Sequence, residues 1–235
     1  MMRLCMLAML LGGSALGQIL SIEGPEDPLL QFLNPQSAQI HLRASQPWSF
    51  APVVCGNLGA RLHIANTIWT ADLGWQDWQG LQAQSVDLVF RAPSIAGLAP
   101  GLRFRTEFLG ERRYHLLDFL LAMEGPVKVG LRFRLDERTE FGLSARSSSE
   151  ALVLSIQNES LDAAWLRGLS AQGRVDDVFR LKWRGENWSS AWTLGPSPLQ
   201  ELSLGWSGRR RFAKLQLRWH PWLGMGRSLV LGVKL

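Results

Sequence analysis

VKVGLRFRLDERTEFGLSARSSSEALVLSIQNESL runs from Val127 to Leu161, and its reading decides the fold. Val127, Val129, Leu131, Phe133 and Leu135 fall on one side of an extended chain. Lys128, Gly130, Arg132, Arg134 and Asp136 fall on the other. Successive side chains of a strand point to opposite faces, so this alternation defines a β-strand with one apolar and one polar face. Asp136-Glu137-Arg138 reads as a tight break, after which Phe141, Leu143 and Ala145 resume the beat. Ser147-Ser148-Ser149 reads as a second break, and Leu152, Leu154 and Ile156 restore the pattern.

Outward from this stretch, the beat recurs along the chain. The candidate strands are Ala38–Ala44, Phe50–Cys55, Ala60–Leu73, Ser85–Ala92, Leu102–Leu109, Tyr114–Met123, Val127–Leu135 and Glu140–Arg146. They continue as Ala151–Gln157, Trp165–Gln172, Val178–Arg184, Ser189–Leu194, Leu199–Trp206, Phe212–Trp219 and Ser228–Leu235. Short breakers such as Glu124-Gly125-Pro126 and Gly185-Glu186-Asn187 join them. The longest link is taken as Gly74 to Gln84, and Asp176-Asp177 and Glu111-Arg112-Arg113 read as turn charges. Phe50–Cys55 is the weakest segment. A bacterial barrel needs an even count, so about 14 strands are expected, with 12 as the alternative.

Two environments give a strand unlike faces. A soluble sandwich turns its apolar face to a core, whereas an outer-membrane barrel turns it to lipid around a wet lumen. The amino terminus favours the second. Met1-Met2-Arg3 is a positive n-region, Leu4–Leu11 an apolar h-region, and Ala15 and Gly17 precede a cleavage point before Gln18. Residues 1–17 therefore read as a secretory signal peptide. No later segment reaches the roughly 18 apolar residues of a spanning helix. Mean hydropathy is neutral although 46% of residues are hydrophobic and 11 are Trp. Alternating strands produce that cancellation. Residues 18–35 are expected to form a hatch, helical over Pro28–Leu33, and residues 36–235 an all-β, single antiparallel transmembrane barrel.

The faces carry the functional expectations. Arg103, Arg105, Lys128, Arg132, Arg134, Arg180, Lys182, Arg184 and Arg218 fall on polar sides and are expected to face the lumen. Glu107, Asp136 and Glu201 partly offset them. A closed interior of this kind is net positive and favours anions. Trp183, Trp188, Trp206, Trp219 and Trp222 lie near strand ends, where amphipathic rings form an interface girdle. The last strand, with Leu229, Leu231, Val233 and Leu235 on one face, is amphipathic as the last strands of outer-membrane barrels usually are, but it ends in Leu235 where those usually end in an aromatic residue.

The sequence offers little enzymatic chemistry. His41, His63, His115 and His220 form no recognisable triad or metal spacing, although Asp118 is close to His115 in sequence. No catalytic residue, metal or cofactor is expected. Cys55 is read as a small apolar filler. The basic pI near 9.9 invites a nucleic-acid reading, but the cations are dispersed and no nucleic-acid motif appears.

FLNPQSAQIHL (Phe32–Leu42), GARLHIANTIWTADLGWQDW (Gly59–Trp78) and the alternating hairpins that follow resemble the long-chain fatty-acid-transporter-like barrels of Gram-negative outer membranes. The resemblance is above all to their small branch, which includes the type IX secretion shuttle barrels. Asn34-Pro35 matches the family's Asn-Pro-Ala opening, with Gln36 in place of Ala, and the loops are shorter. The resemblance implies 14 strands, an N-terminal segment inside the barrel, and handling of apolar ligands or secreted proteins. A non-enzymatic transport, channel-like or secretion-accessory barrel is the expected function. Its partners would be outer-membrane lipid and other envelope or secretion proteins. A soluble periplasmic β-sandwich or lipid-carrier module is the alternative.

Overall fold

The computed structural model describes residues 28–35, 37–46, 53–78, 81–110, 112–139, 148–170, 175–195, 200–220 and 224–235. The expected signal peptide, residues 18–27 of the hatch, the Glu140–Arg146 segment and Trp222 lie outside these residues. A short helix, α1 (Pro28–Leu33), precedes β1 (Gln39–Gln46), β2 (Val53–Ile64), β3 (Thr67–Trp78), β4 (Leu81–Arg91) and β5 (Leu98–Leu109). Then come β6 (Arg112–Met123), β7 (Val127–Thr139), β8 (Ser148–Gln157), β9 (Leu161–Ser170) and β10 (Val175–Arg184). The chain finishes with β11 (Trp188–Leu194), β12 (Gln200–Ser207), β13 (Arg211–His220) and β14 (Gly224–Lys234).

All neighbours are antiparallel and consecutive, and β14 pairs with β1 from Gln39↔Lys234 to Gln46↔Arg227. The sheet is therefore a closed, 14-stranded up-and-down barrel with no free edge. It is not the sandwich of the alternative reading. The rim where β1 starts and β14 finishes is called the near rim, and its opposite the far rim.

Five local expectations are corrected. The expected strand Ala60–Leu73 is two strands, β2 and β3, divided at Ala65-Asn66, where φ is 47° and 65°. Positive φ at both central residues is the geometry whose twist matches a two-residue hairpin. Because that turn is so short, the apolar beat runs across it almost unbroken. Phe50–Cys55 is no separate strand, since Val53–Cys55 opens β2. The supposed link at Gly74–Gln84 is mostly strand: β3 continues to Trp78 and β4 begins at Leu81. Asp136-Glu137-Arg138 does not turn either. β7 runs through Thr139, and its pairing with β6 slips so that Asp118 opposes Arg134 while Leu117 opposes Asp136. The extra residue at this bulge breaks the period-two beat, so the pattern cannot be carried across it. Asp176, Asp177, Arg112 and Arg113 are likewise strand residues.

The outer surface is apolar. Leu42, Leu58, Leu73, Leu88, Leu202, Leu204, Leu215, Leu229, Leu231 and Val233 are each 42–51% exposed, on strands from both halves of the barrel. A belt this large is far beyond what water tolerates on a soluble protein, and lipid is its natural solvent. No helix among the described residues is long and apolar enough to cross a membrane.

The inner surface is divided. Across β5 to β9 it is lined by Ala99, Leu120, Ala122, Ala151, Val153, Ala164 and Leu166, and α1 packs on this wall with Leu29, Phe32 and Leu33 buried. Small residues carve the seat. A Cβ on Gly101 would meet the Phe32 ring at 2.3 Å, and one on Gly130 would meet Leu29 at 3.3 Å. Polar ties hold the helix: Arg61 donates to Gln31 (3.0 Å), Lys128 to Asn34 (2.8 Å), and Asn34 to Ser155 (3.3 Å). The Arg91 guanidinium lies 5.6 Å from the Phe32 ring centre.

Two outcomes follow from this packing. Leu215→Arg, in the middle of β13 on the outer face, is expected to cost about 2–4 kcal/mol of folding stability in lipid vesicles, read by urea titration. Gly130→Leu, whose Cβ would meet the Leu29 side chain at 3.3 Å, is expected to push Leu29 off its seat while the strands still close. Heat-modifiable gel mobility would stay normal and single-channel conductance would rise.

Candidate lumenal site

Inside the near-rim half of the barrel is a cavity of about 890 Å³, bounded by α1 and by strands from nearly the whole circumference. Its charge is one-sided. Among the described residues, eleven Lys and Arg side chains line it against four carboxylates, Asp72, Asp87, Glu124 and Asp162. Arg103, Arg105, Lys128, Arg180, Lys182 and Arg184 of the sequence expectation are in this lining. Arg132, Arg134 and Arg218 are on the inner face but outside the cavity wall. Arg132 is buried, Arg134 reaches Asp118, and Arg218 reaches Glu201.

Sequence reasoning missed five cations of the lining: Arg43, Arg61, Arg91, Lys214 and Lys234. Parity within correctly bounded strands would have found Arg43 and Arg61, which share a face with His41 and Asn57. Arg91 was hidden because its strand also points Val89 inward. Carboxylates were missed too. Asp72 faces His41 at 3.5 Å across the lumenal face of β1 to β3. His115 and Asp118 do not meet. Asp118 is fully buried on the inner face, whereas His115 contacts Thr106 (3.0 Å) and stacks near Phe104 on the outer face. No group of three metal-ligating side chains occurs among the described residues.

The cations fall into two sets. On β4 and β5 the lining cations are locked in ion pairs, Arg91 with Glu124 among them. Arg103 grips Asp87 with two nitrogens (3.0 and 2.6 Å) and approaches Asp118 at 3.7 Å. Arg134 bonds the other oxygen of Asp118, and Arg105 bonds Glu107 while lying 3.9 Å from Asp87. Arg103 and Asp118 have no solvent exposure. Such a network is rigid because each charge depends on its neighbours for solvation. Further cations line the cavity from β10 and β13. Arg180, Lys182 and Lys214 line it, and Arg184 lies at its edge with Asp162 at 3.3 Å.

The tryptophans stand outside in two rings. Trp183, Trp188 and Trp206 are near the near rim and are 63, 67 and 40% exposed; Trp219 is near the far rim. Trp69 joins the first ring, and Trp75 and Trp192 lie towards the second, none of which was singled out from the sequence.

No model of a known protein family matches the chain, and no curated protein matches it. Solved structures do. The barrel is similar to the outer membrane protein Omp33 of Acinetobacter baumannii, with a TM-score of 0.61, 5% identity, and coverage of 85% of this chain and 98% of that one. It is similar also to a bacterial polysaccharide outer membrane secretin, with a TM-score of 0.53, 10% identity, and coverage of 85% and 98%. At such identities the likeness is one of fold. The fold class, with its lipid-facing belt, is that of a small outer-membrane β-barrel.

The buried pairs give a direct test. Asp118→Leu removes the buried carboxylate between Arg103 and Arg134 and is expected to cost about 3–5 kcal/mol in urea unfolding, because breaking a buried pair leaves charge undercompensated.

Proposed function

We propose that this protein is a non-enzymatic outer-membrane conduit for anionic solutes, narrowed by α1. The observation that carries the proposal is the cation excess of the lumen: eleven basic side chains against four carboxylates around the cavity. Charge inside a low-dielectric wall acts more strongly than on an open surface, so even a modest excess biases which ions enter. The inward Arg and Lys supply the selectivity and the outer Trp rings fix the barrel's depth in the bilayer. Export by the Met1–Gly17 leader belongs to the same reading.

A finer kinship, with the fatty-acid-transporter-like barrels and their type IX secretion shuttle branch, is part of the proposal. The 14-strand closure and the N-terminal helix seated within the barrel support it. On that branch the protein would serve envelope or secretion partners as an accessory subunit. A lumen lined by guanidinium and ammonium groups favours polar anions over apolar cargo.

Reversal potentials of the purified barrel across a potassium chloride gradient test the proposal. Chloride is expected to pass in preference to potassium at low salt. The preference should fade as the screening length falls below about 8–10 Å above physiological ionic strength. A preference for potassium would overturn it.

A further inference from the structure

The inner face of β10 to β13, whose near-rim part walls the cavity, is organised in rows. Direct register places Arg184, Ser189, Gly205 and Lys214 in one row across the four strands, and Lys182, Ala191, Ser203 and Gln216 in the next. A third row runs from Arg180 through Thr193 and Glu201 to Arg218, where Arg218 and Glu201 pair at 2.9 Å and close the far end. Each row starts with a cation on β10 and crosses two small or hydroxylated residues in the first two cases. The result is a trough, about 14 Å across from β10 to β13 at normal strand spacing. Arg180 and Lys182 form one bank and Lys214 the other, and its floor is low because Ala191, Ser203 and Gly205 carry almost no side chain. The Ser189 hydroxyl would lie 2.7 Å from a Cβ on Gly205, so glycine there keeps that hydroxyl in place.

The geometry points to a binding site for a short linear acidic saccharide, one that carries a carboxylate or sulfate on successive units. This inference rests on the anion-conduit reading and names the solute. Two features distinguish such a chain from a simple anion. Successive cations on β10 are about 6.8 Å apart along the strand, so a compact anion meets one rung while an extended chain meets several at once. Simultaneous contacts raise the effective concentration of each next charge without any new chemistry. The serine floor then offers donors and acceptors to sugar hydroxyls, which a chain of phosphates lacks.

Isothermal titration of the full-length barrel in detergent micelles tests this with four probes: a linear triuronate, citrate, tripolyphosphate and maltotriose. Citrate matches the triuronate in number of carboxylates but is compact. Tripolyphosphate is linear and anionic without hydroxyls, and maltotriose is a trisaccharide without charge. The triuronate is expected to bind at least about tenfold more tightly than each of the others, a difference of about 1.4 kcal/mol. The double variant Arg180→Ser, Lys182→Ser should lose that margin. Ser203→Leu, which fills the floor and leaves every charge in place, should lose it too while keeping chloride preference in bilayers. Ser189→Leu obstructs the same floor from the neighbouring strand, and heat-modifiable mobility confirms folding of each. Arg209→Ser, on an exposed near-rim turn, should bind as the parent does.

Equal binding of citrate or tripolyphosphate would overturn the inference, as would tight binding by the two floor variants. Chloride preference without triuronate binding would remove the trough and leave the anion conduit standing. Loss of chloride preference in the parent barrel would instead strike at the conduit itself.

Discussion

The structure depends on the closure of β1 against β14. In hydrocarbon no water is present to bond an exposed peptide group, and each one left unsatisfied costs several kcal/mol. A sheet can meet that demand only by having no edge. The pairing of Gln39–Gln46 with Arg227–Lys234 joins the two strands most distant in sequence and completes the ladder. Every other feature is arranged around it. Fourteen strands set a diameter too wide for lumenal side chains alone to fill, so the interior must be packed, plugged or wet. This protein does all three in different sectors.

The division of the interior is chemical. Under β5 to β9 the inner face is apolar and small, and α1 completes a miniature core there. Beside it, β4 to β7 carry a buried ion-pair network centred on Arg103 and Asp118. From β10 round to β3, cations line the cavity. A soluble protein has one core and one surface. Here the water-facing surface is inside and the core occupies only a sector of it, while the outside is solvated by lipid.

Much of this was legible from alternation. In Val127–Leu135, Val178–Arg184 and Leu229–Leu235 a polar lumen and an apolar exterior produce the period-two pattern, and the structure follows it. Legibility failed where the physics departs from that rule. Phe119–Met123 is apolar on both faces, because Leu120 and Ala122 meet the α1 core rather than water. Ala65-Asn66 reverses the chain in two residues without interrupting the beat, so two strands read as one. The bulge opposite Leu117 and Asp118 shifts the register, and no composition signal marks it. The rows on β10 to β13 were beyond the sequence altogether. A single strand gives the order of its side chains but not which residues lie beside them on the next strand.

The seat of α1 carries a consequence for the order of events in assembly. The helix is the first described segment of the chain, yet its contacts are on β4, β6 and β7, and Phe32 rests on Gly101 of β5. The last of these strands, β7, is complete only when half of the fourteen strands have been laid down. Non-local contacts of this kind come late, after the entropy of closing the intervening chain has been met. The helix therefore waits, tethered to β1, until that wall is in place. A barrel built this way closes with its own contents already inside.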